Sequence, residues 1–241
     1  MQNHTDPKQT GRLYGIGVGP GDPELLTLKA VRVMEQCDVL AVPGKNVADS
    51  VAYQIAVRAV PGLQEKSWFS IEMPMTRDAK LLEESHESAA DVVEAYLKEG
   101  KQVGILNLGD VTIYATFLYV QKRIAARGYH TEMVNGIPSF CATAATLGLG
   151  IAEGKEQIHI LSQPDQIEEG LKLPGTKIIM KMGKNMAQVK QWIRDAGMEA
   201  CMIENCGMPG ERIFRSVDEI DEQAGYYSLL IVKEKKPCEV E

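Results

Sequence analysis

The segment GIGVGPGDP (15–23) packs four glycines, two prolines and Asp22 into nine residues, a composition that lets a ligand come close to main-chain amides. A dinucleotide would suit such a loop, but the spacing refuses it. A GxGxxG opening at Gly15 needs glycine at 20, one opening at Gly17 needs it at 22, and the chain has Pro20 and Asp22 there. No GxxxxGKS or GxxxxGKT occurs to cradle a triphosphate. Asp22 has two compatible roles: N-cap of the helix that Pro23 opens, or a group that takes a proton or orients a substrate. A second Gly-Asp pair lies in LNLGDVTIYATF (106–117), after another apolar run. NGIPSFCATAA (135–145) sets Gly and Pro before a helix rich in small residues, which serves ligand approach or simply tight helix packing. KMGKN (181–185) closes a strand at Met182, a core methionine first and a ligand contact second.

These loops need strands to carry them. LYGIGV (13–18) reads as a buried strand, and the apolar spacing of Leu25, Leu28, Val31 and Val33 predicts a helix before the short run DVLAV (38–42), which completes a β-α-β unit. The alternation continues through VADSVAYQIAVRAV, SWFSIEM, the long helix DAKLLEESHESAADVVEAYLKEG and the strand QVGILNL (102–108). IYATFLYVQKRIAAR predicts a helix stopped by Gly128, and YHTEMV one more strand. Further on, QIHILS (157–162), TKIIMKM (176–182), EACMIEN (199–205), ERIFRSV and YYSLLIVKEK are strands with little helix between them beyond AQVKQWIRDAG. The expectation is an α/β protein of two α/β domains, residues 11–127 with a parallel sheet and residues 128–233 with a mixed one. In an open α/β sheet, ligands bind beyond the carboxyl ends of the strands, so the two Gly-Asp loops can face one crevice.

Composition narrows the chemistry. Acidic residues outnumber basic ones, 33 to 26, and the net charge of −7 argues against nucleic acid and anionic lipid as partners. Without an apolar run of membrane-spanning length, and with a polar start MQNHTDPKQT, the expectation is a cytoplasmic protein. Five cysteines without a CxxC suit a reducing compartment better than a disulfide framework, and histidines at 4, 86, 130 and 159 are too scattered to predict a structural metal. The acidic stretch around Glu83, Glu84 and Glu87, with His86, reads as a solvated helix face.

Taken in order, GVGPGDP, an LxxGDxxxY loop, the GIPS turn, MG after a strand, ENCG (204–207) and a final strand SLLIV resemble the tetrapyrrole methylase family, from about residue 11 to 233. Within it, the residues at 13–30, VP (42–43) with the SVAYQIA helix, EMPMT (72–76) and IYATF (113–117) look most like the branch that methylates C(20) of precorrin-2 or cobalt-factor II. Sister enzymes acting at other ring carbons, and diphthine synthase, share the loops but fit these intervening segments less well. Val111 and Asn135 stand where the family pattern has proline.

The resemblance implies a homodimer that uses S-adenosyl-L-methionine, bound folded in a cleft between the two domains, with a small-molecule tetrapyrrole as acceptor and no metal. Carried over by position, donor contacts fall on Gly109, Asp110, Ile113, Pro138, Ser139, Met182 and Cys206, with Pro20 facing the acceptor side. Asp110 is expected to accept from the donor's ribose or amino group. Asp22 is the candidate base for the proton that leaves C(20). Arg12, Lys45, Arg77, Lys181, Lys184 and Arg212 are candidates to offset the acceptor's eight carboxylates.

Overall fold

The computed structural model describes residues 11–74, 76 and 78–234; Arg77, and Met75 of the EMPMT stretch, lie outside the described residues. One compact unit runs to Ile137 and a second begins at Pro138.

The first unit alternates strand and helix: β1 (Arg12–Gly17), α1 (Leu28–Gln36), β2 (Val39–Pro43), α2 (Val51–Ala59), β3 (Ser67–Ile71), α3 (Ala79–Lys98), β4 (Gln102–Asn107), α4 (Phe117–Ala126) and β5 (His130–Val134). The sheet order is β3-β2-β4-β1-β5, every neighbouring pair parallel. Its central strands β2 and β4 are almost wholly apolar and buried because both faces are covered, whereas the edge strands β3 and β5 are only partly so. Ile16, Leu40, Val42 and Leu106 point into the core with α1 and α2, while Leu13, Ala41, Val103 and Ile105 alternate into the core with α3 and α4. Side-chain caps begin α1 and α3, where Thr27 accepts from the Ala30 amide at 3.1 Å and Asp78 from those of Lys80 and Leu81 at 2.9 and 3.2 Å.

The second unit holds α5 (Ser139–Leu147), β6 (Ile158–Leu161), α6 (Ile167–Leu171), β7 (Thr176–Met180), α7 (Met186–Asp195), β8 (Glu199–Glu204), β9 (Arg212–Phe214) and β10 (Ser228–Lys233). The order is β6-β7-β10-β8-β9, with β6 and β7 parallel and the other pairs antiparallel, a mixed sheet as expected. Its core gathers Ile179, Met186, Val189, Ile193, Met202 and Leu230 between the sheet and α7.

Three local expectations are revised. The division falls after Ile137 rather than at Arg127–Gly128, because β5 hydrogen-bonds to β1 and belongs to the first sheet. The helix predicted from Ile113 starts at Phe117, since Tyr114 takes a left-handed backbone, φ +50°, that no helix accommodates. His86 is buried: it shares a face of α3 with Ala90, Val93 and Leu97, and its ring stacks on Tyr119 at 4.3 Å. Glu83 and Glu87 do stay on the surface, ion-paired with Arg123 of α4. Cys37, Cys141 and Cys206 are free thiols.

Candidate active site

Neighbouring strands β4, β1 and β5 run parallel, so their carboxyl ends release three loops at one edge of the first sheet. Those loops are hydrogen-bonded into one body. The amide of Val18 donates to the Asn107 carbonyl at 2.9 Å, and Gly19 and Gly109 exchange amide bonds at 3.2 and 2.8 Å, an isolated antiparallel bridge. The third loop is wedged beside them. A Cβ on Gly136 would lie 2.2 Å from the Gly109 carbonyl oxygen, and one on Gly17 2.5 Å from the Gly136 nitrogen, so only glycine lets these backbones touch.

Asp110 locks the second loop to the third. Its carboxylate, 6% exposed, accepts from the Thr112 amide at 2.8 Å and the Thr112 hydroxyl at 2.5 Å on Oδ1, and from the Gly136 amide at 2.9 Å and the Asn135 side-chain amide at 3.2 Å on Oδ2. Burial alone would raise its pKa; the bonds from Thr112, Gly136 and Asn135 outweigh that and hold the carboxyl below its ordinary value. The four acceptor positions of a carboxylate are thus met from within the chain. The expected bond to a donor's ribose or amino group has no unused lone pair at this side chain.

Asp22 caps the single helical turn Pro23–Leu25, accepting from the Glu24 amide at 2.9 Å, so the capping role is real. Pro20 is buried beside Gly19. Ile113 is half-buried, its amide donating to the Asp110 carbonyl at 3.4 Å, and Tyr114 after it is half-exposed.

The second unit places Pro138 at the N-cap of α5 and Ser139 as its first residue. Strands β7 and β8 both run antiparallel to β10, and Met180 pairs with Leu229 while Glu204 pairs with Ser228. Met182 and Cys206, just beyond those ends, therefore leave the same edge of the second sheet. Met182 is 1% exposed and sits in the core, as its first reading had it. Cys206 is buried with its sulfur 3.8 Å from the Thr146 hydroxyl, and burial pushes its thiol up, away from the reactive thiolate.

Sequence reasoning missed several participants. Thr112 escaped notice, although Asp-x-Thr is a local signal for a side chain that bonds the backbone two residues on, and Asn135 was read only as a replacement for proline. Among the described residues, Tyr114, Lys181 and Asn205 are the non-glycine residues with left-handed backbone, at φ +50°, +63° and +56°, and each directly adjoins a predicted site residue, Ile113, Met182 or Cys206. Strain of this kind gathers at functional loops, and neither composition nor spacing announces it. Of the basic candidates, Arg212 is engaged by Glu204 at 2.6 Å and Asp221 at 2.7 Å, and Lys45 lies 3.6 Å from Glu72. Arg12 and Lys184 are exposed.

A family model for the tetrapyrrole (corrin/porphyrin) methylases matches residues 12–221. The chain is 37% identical to the probable cobalt-precorrin-2 C(20)-methyltransferase of Methanocaldococcus jannaschii, over 95% of this chain and 99% of that one. It is 30% identical to the cobalt-precorrin-2 C(20)-methyltransferase of Salmonella typhimurium, over 93% and 97%. Among solved structures, a cobalt precorrin-4 methyltransferase superposes with TM-score 0.72 at 20% identity over 92% and 94% of the two chains. The Thermus thermophilus uroporphyrin-III C-methyltransferase complexed with S-adenosylhomocysteine gives 0.68 at 21% over 93% and 98%. With glycine-bearing strand ends in the expected order and a family match across most of its length, this chain belongs to the tetrapyrrole methylases.

Proposed function

We propose that the protein transfers a methyl group from S-adenosyl-L-methionine to C(20) of precorrin-2 or its cobalt form, in cobalamin biosynthesis. The observation that carries this reading is end-to-end likeness, 37% identity over 95% of the chain, to a relative named for that reaction. Donor contacts are assigned to Gly109, Asp110 and Ile113 on the first unit and to Pro138, Ser139, Met182 and Cys206 on the second, with Pro20 toward the acceptor. Asp110 enters through its loop, because its carboxylate is taken up, and Met182 through its backbone, because its side chain is in the core.

The residues suit this donor. S-adenosyl-L-methionine supplies a methyl on a positively charged sulfur whose charge disperses as the methyl leaves, so a bare carboxylate against it would stabilise the ground state more than the transition state. Asp110 keeps its charge, but both its oxygens are turned to Thr112, Asn135 and Gly136 of its own chain rather than left bare toward a sulfonium. The remaining assigned contacts are uncharged, and their task is to align donor and acceptor and to keep water away. As the new carbon–carbon bond forms at C(20), the hydrogen on that carbon departs as a proton, and Asp22 is assigned to take it. The protein is assigned to the cytoplasm as a homodimer; among the described residues no helix is long and apolar enough to cross a membrane.

The test is incubation of the purified protein with donor and either metal-free precorrin-2 or cobalt-factor II under anaerobic conditions, followed by mass and NMR analysis of the product. A single added methyl at C(20) is expected. A methyl at another ring carbon, or none with either acceptor, refutes the assignment.

A further inference from the structure

The three loops at the edge of the first sheet owe their arrangement to one buried side chain with two partners that neither the family resemblance nor the comparisons assign. We propose that Thr112 and Asn135 are positioning residues for the methyl donor: acting through the Asp110 carboxylate, they hold the Gly109 loop and the Gly136 turn at the spacing at which those backbones receive it. This rests on the donor-site reading above and deepens it.

The geometry is reciprocal. Thr112, in the second loop, closes on Oδ1 through both its amide and its hydroxyl, at 2.8 and 2.5 Å, so the carboxylate is fixed relative to its own loop. Asn135, in the third loop, closes on Oδ2 at 3.2 Å beside the Gly136 amide at 2.9 Å, so the same carboxylate is fixed relative to the neighbouring strand end. Asn135 reaches the first loop too, its carbonyl accepting from the Thr27 hydroxyl at 3.3 Å at the start of α1. Nothing softer than this clamp separates the backbones. Gly136 and Gly109 are in such contact that a Cβ would meet a carbonyl at 2.2 Å, so a small opening between the loops changes where every nearby amide points. Charge neighbours do not confuse the picture: Lys29 of α1 and Glu132 of β5 are paired with each other at 2.7 Å, Asp22 caps its own turn, and Asp110 is the charged group that bonds Asn135.

A carboxylate that touched the donor directly and one that only sets loop spacing respond differently to change. Thr112→Val leaves the Asp110 charge in place and removes one bond to it on the side of its own loop. Asn135→Asp keeps shape but sets a second carboxylate against Oδ2. Two carboxyl groups at that distance cannot both ionise cheaply, so one holds a proton as the pH falls and the bond between the loops is restored.

The experiment is calorimetric titration of the full-length protein with S-adenosylhomocysteine at about pH 8 and about pH 5.5, with thermal melts of each variant and acceptor KM measured alongside. Relative to wild type at the same pH, Asn135→Asp is expected to bind about tenfold more weakly at the higher pH and to recover most of that at the lower. Thr112→Val is expected to weaken binding severalfold at both pH values, with acceptor KM unchanged for both variants. Should Asn135→Asp fail to fold, Asn135→Ala takes its place, with weaker donor binding at both pH values expected. Wild-type affinity in Thr112→Val, or a loss in Asn135→Asp that is the same at both pH values, overturns the proposal. A wild-type protein that does not bind S-adenosylhomocysteine at all overturns the donor-site reading instead, and the two failures are told apart in the one titration.

Discussion

Two side chains stand apart from the general economy of the fold, Asp22 and Lys177. Asp22 combines a cap to the Glu24 amide with a place in the first glycine loop, and the two duties separate on mutation. Asn keeps the capping oxygen but cannot take a proton, so Asp22→Asn is expected to lower kcat by at least about tenfold while S-adenosylhomocysteine affinity stays within about twofold. Full activity in Asp22→Asn removes it from the chemistry. Lys177 on β7 is fully buried, and among the described residues its ammonium has no hydrogen-bond partner. Burial, the dominant cause, pushes its pKa below 10.5 against the pull of Glu234 and Glu156. Between that lowered value and 10.5 the unfolded chain holds the proton and the folded one does not, so this group's contribution to stability rises with pH across the interval, and its penalty is complete below it. Lys177→Met is therefore expected to stabilise the protein by about 1–3 kcal/mol at neutral pH, the gain shrinking as pH approaches 10.5; denaturant melts of both proteins over pH read it directly. A gain that does not shrink at high pH would show that shape, not charge, is responsible.

At the scale of elements, the loops at the ends of β1, β4 and β5 behave as one piece, because Gly17, Gly109 and Gly136 bring their backbones into contact. Gly136→Ala puts a methyl against the Gly109 carbonyl, where backbone rather than a flexible side chain must yield. It is expected to cost about 1–3 kcal/mol of stability and to weaken donor binding at least about tenfold. Gly128→Ala at the end of α4 has open space around it and a left-handed backbone, so it is expected to lose stability by about 1 kcal/mol and leave donor binding alone. Equal effects of the two on binding would mean that the glycine contact has no special part in the site. Element identity itself was largely legible. The β-α-β rhythm, the Asp22 cap and the stop at Gly128 are local chemistry, and local chemistry is written in order along the chain. The start of α4 was not legible, because Ile113 continues the helical spacing of Phe117, Val120 and Ile124, and the left-handed backbone of Tyr114 that breaks it leaves no mark in the sequence.

For the molecule as a whole, a homodimer is expected: light scattering on the purified protein should give about twice the 26.5 kDa chain mass, and a mass equal to one chain at micromolar concentration rules the dimer out. The amino-acid order alone determined the class of fold, a parallel sheet followed by a mixed one, and the motifs that mark the family, since hydrophobic period and turn residues act over a few positions at a time. Which residue completes a bond begun by another twenty or a hundred positions away was settled only by the folded chain. Asp110 looked like a ligand acceptor until Gly136 and Asn135 were found on its second oxygen, and His86 looked solvated until Tyr119 lay against it. A carboxylate's partners and an imidazole's surroundings depend on which strand ends and helix faces meet, and that meeting is decided by the packing of whole sheets and helices, not by neighbours in sequence.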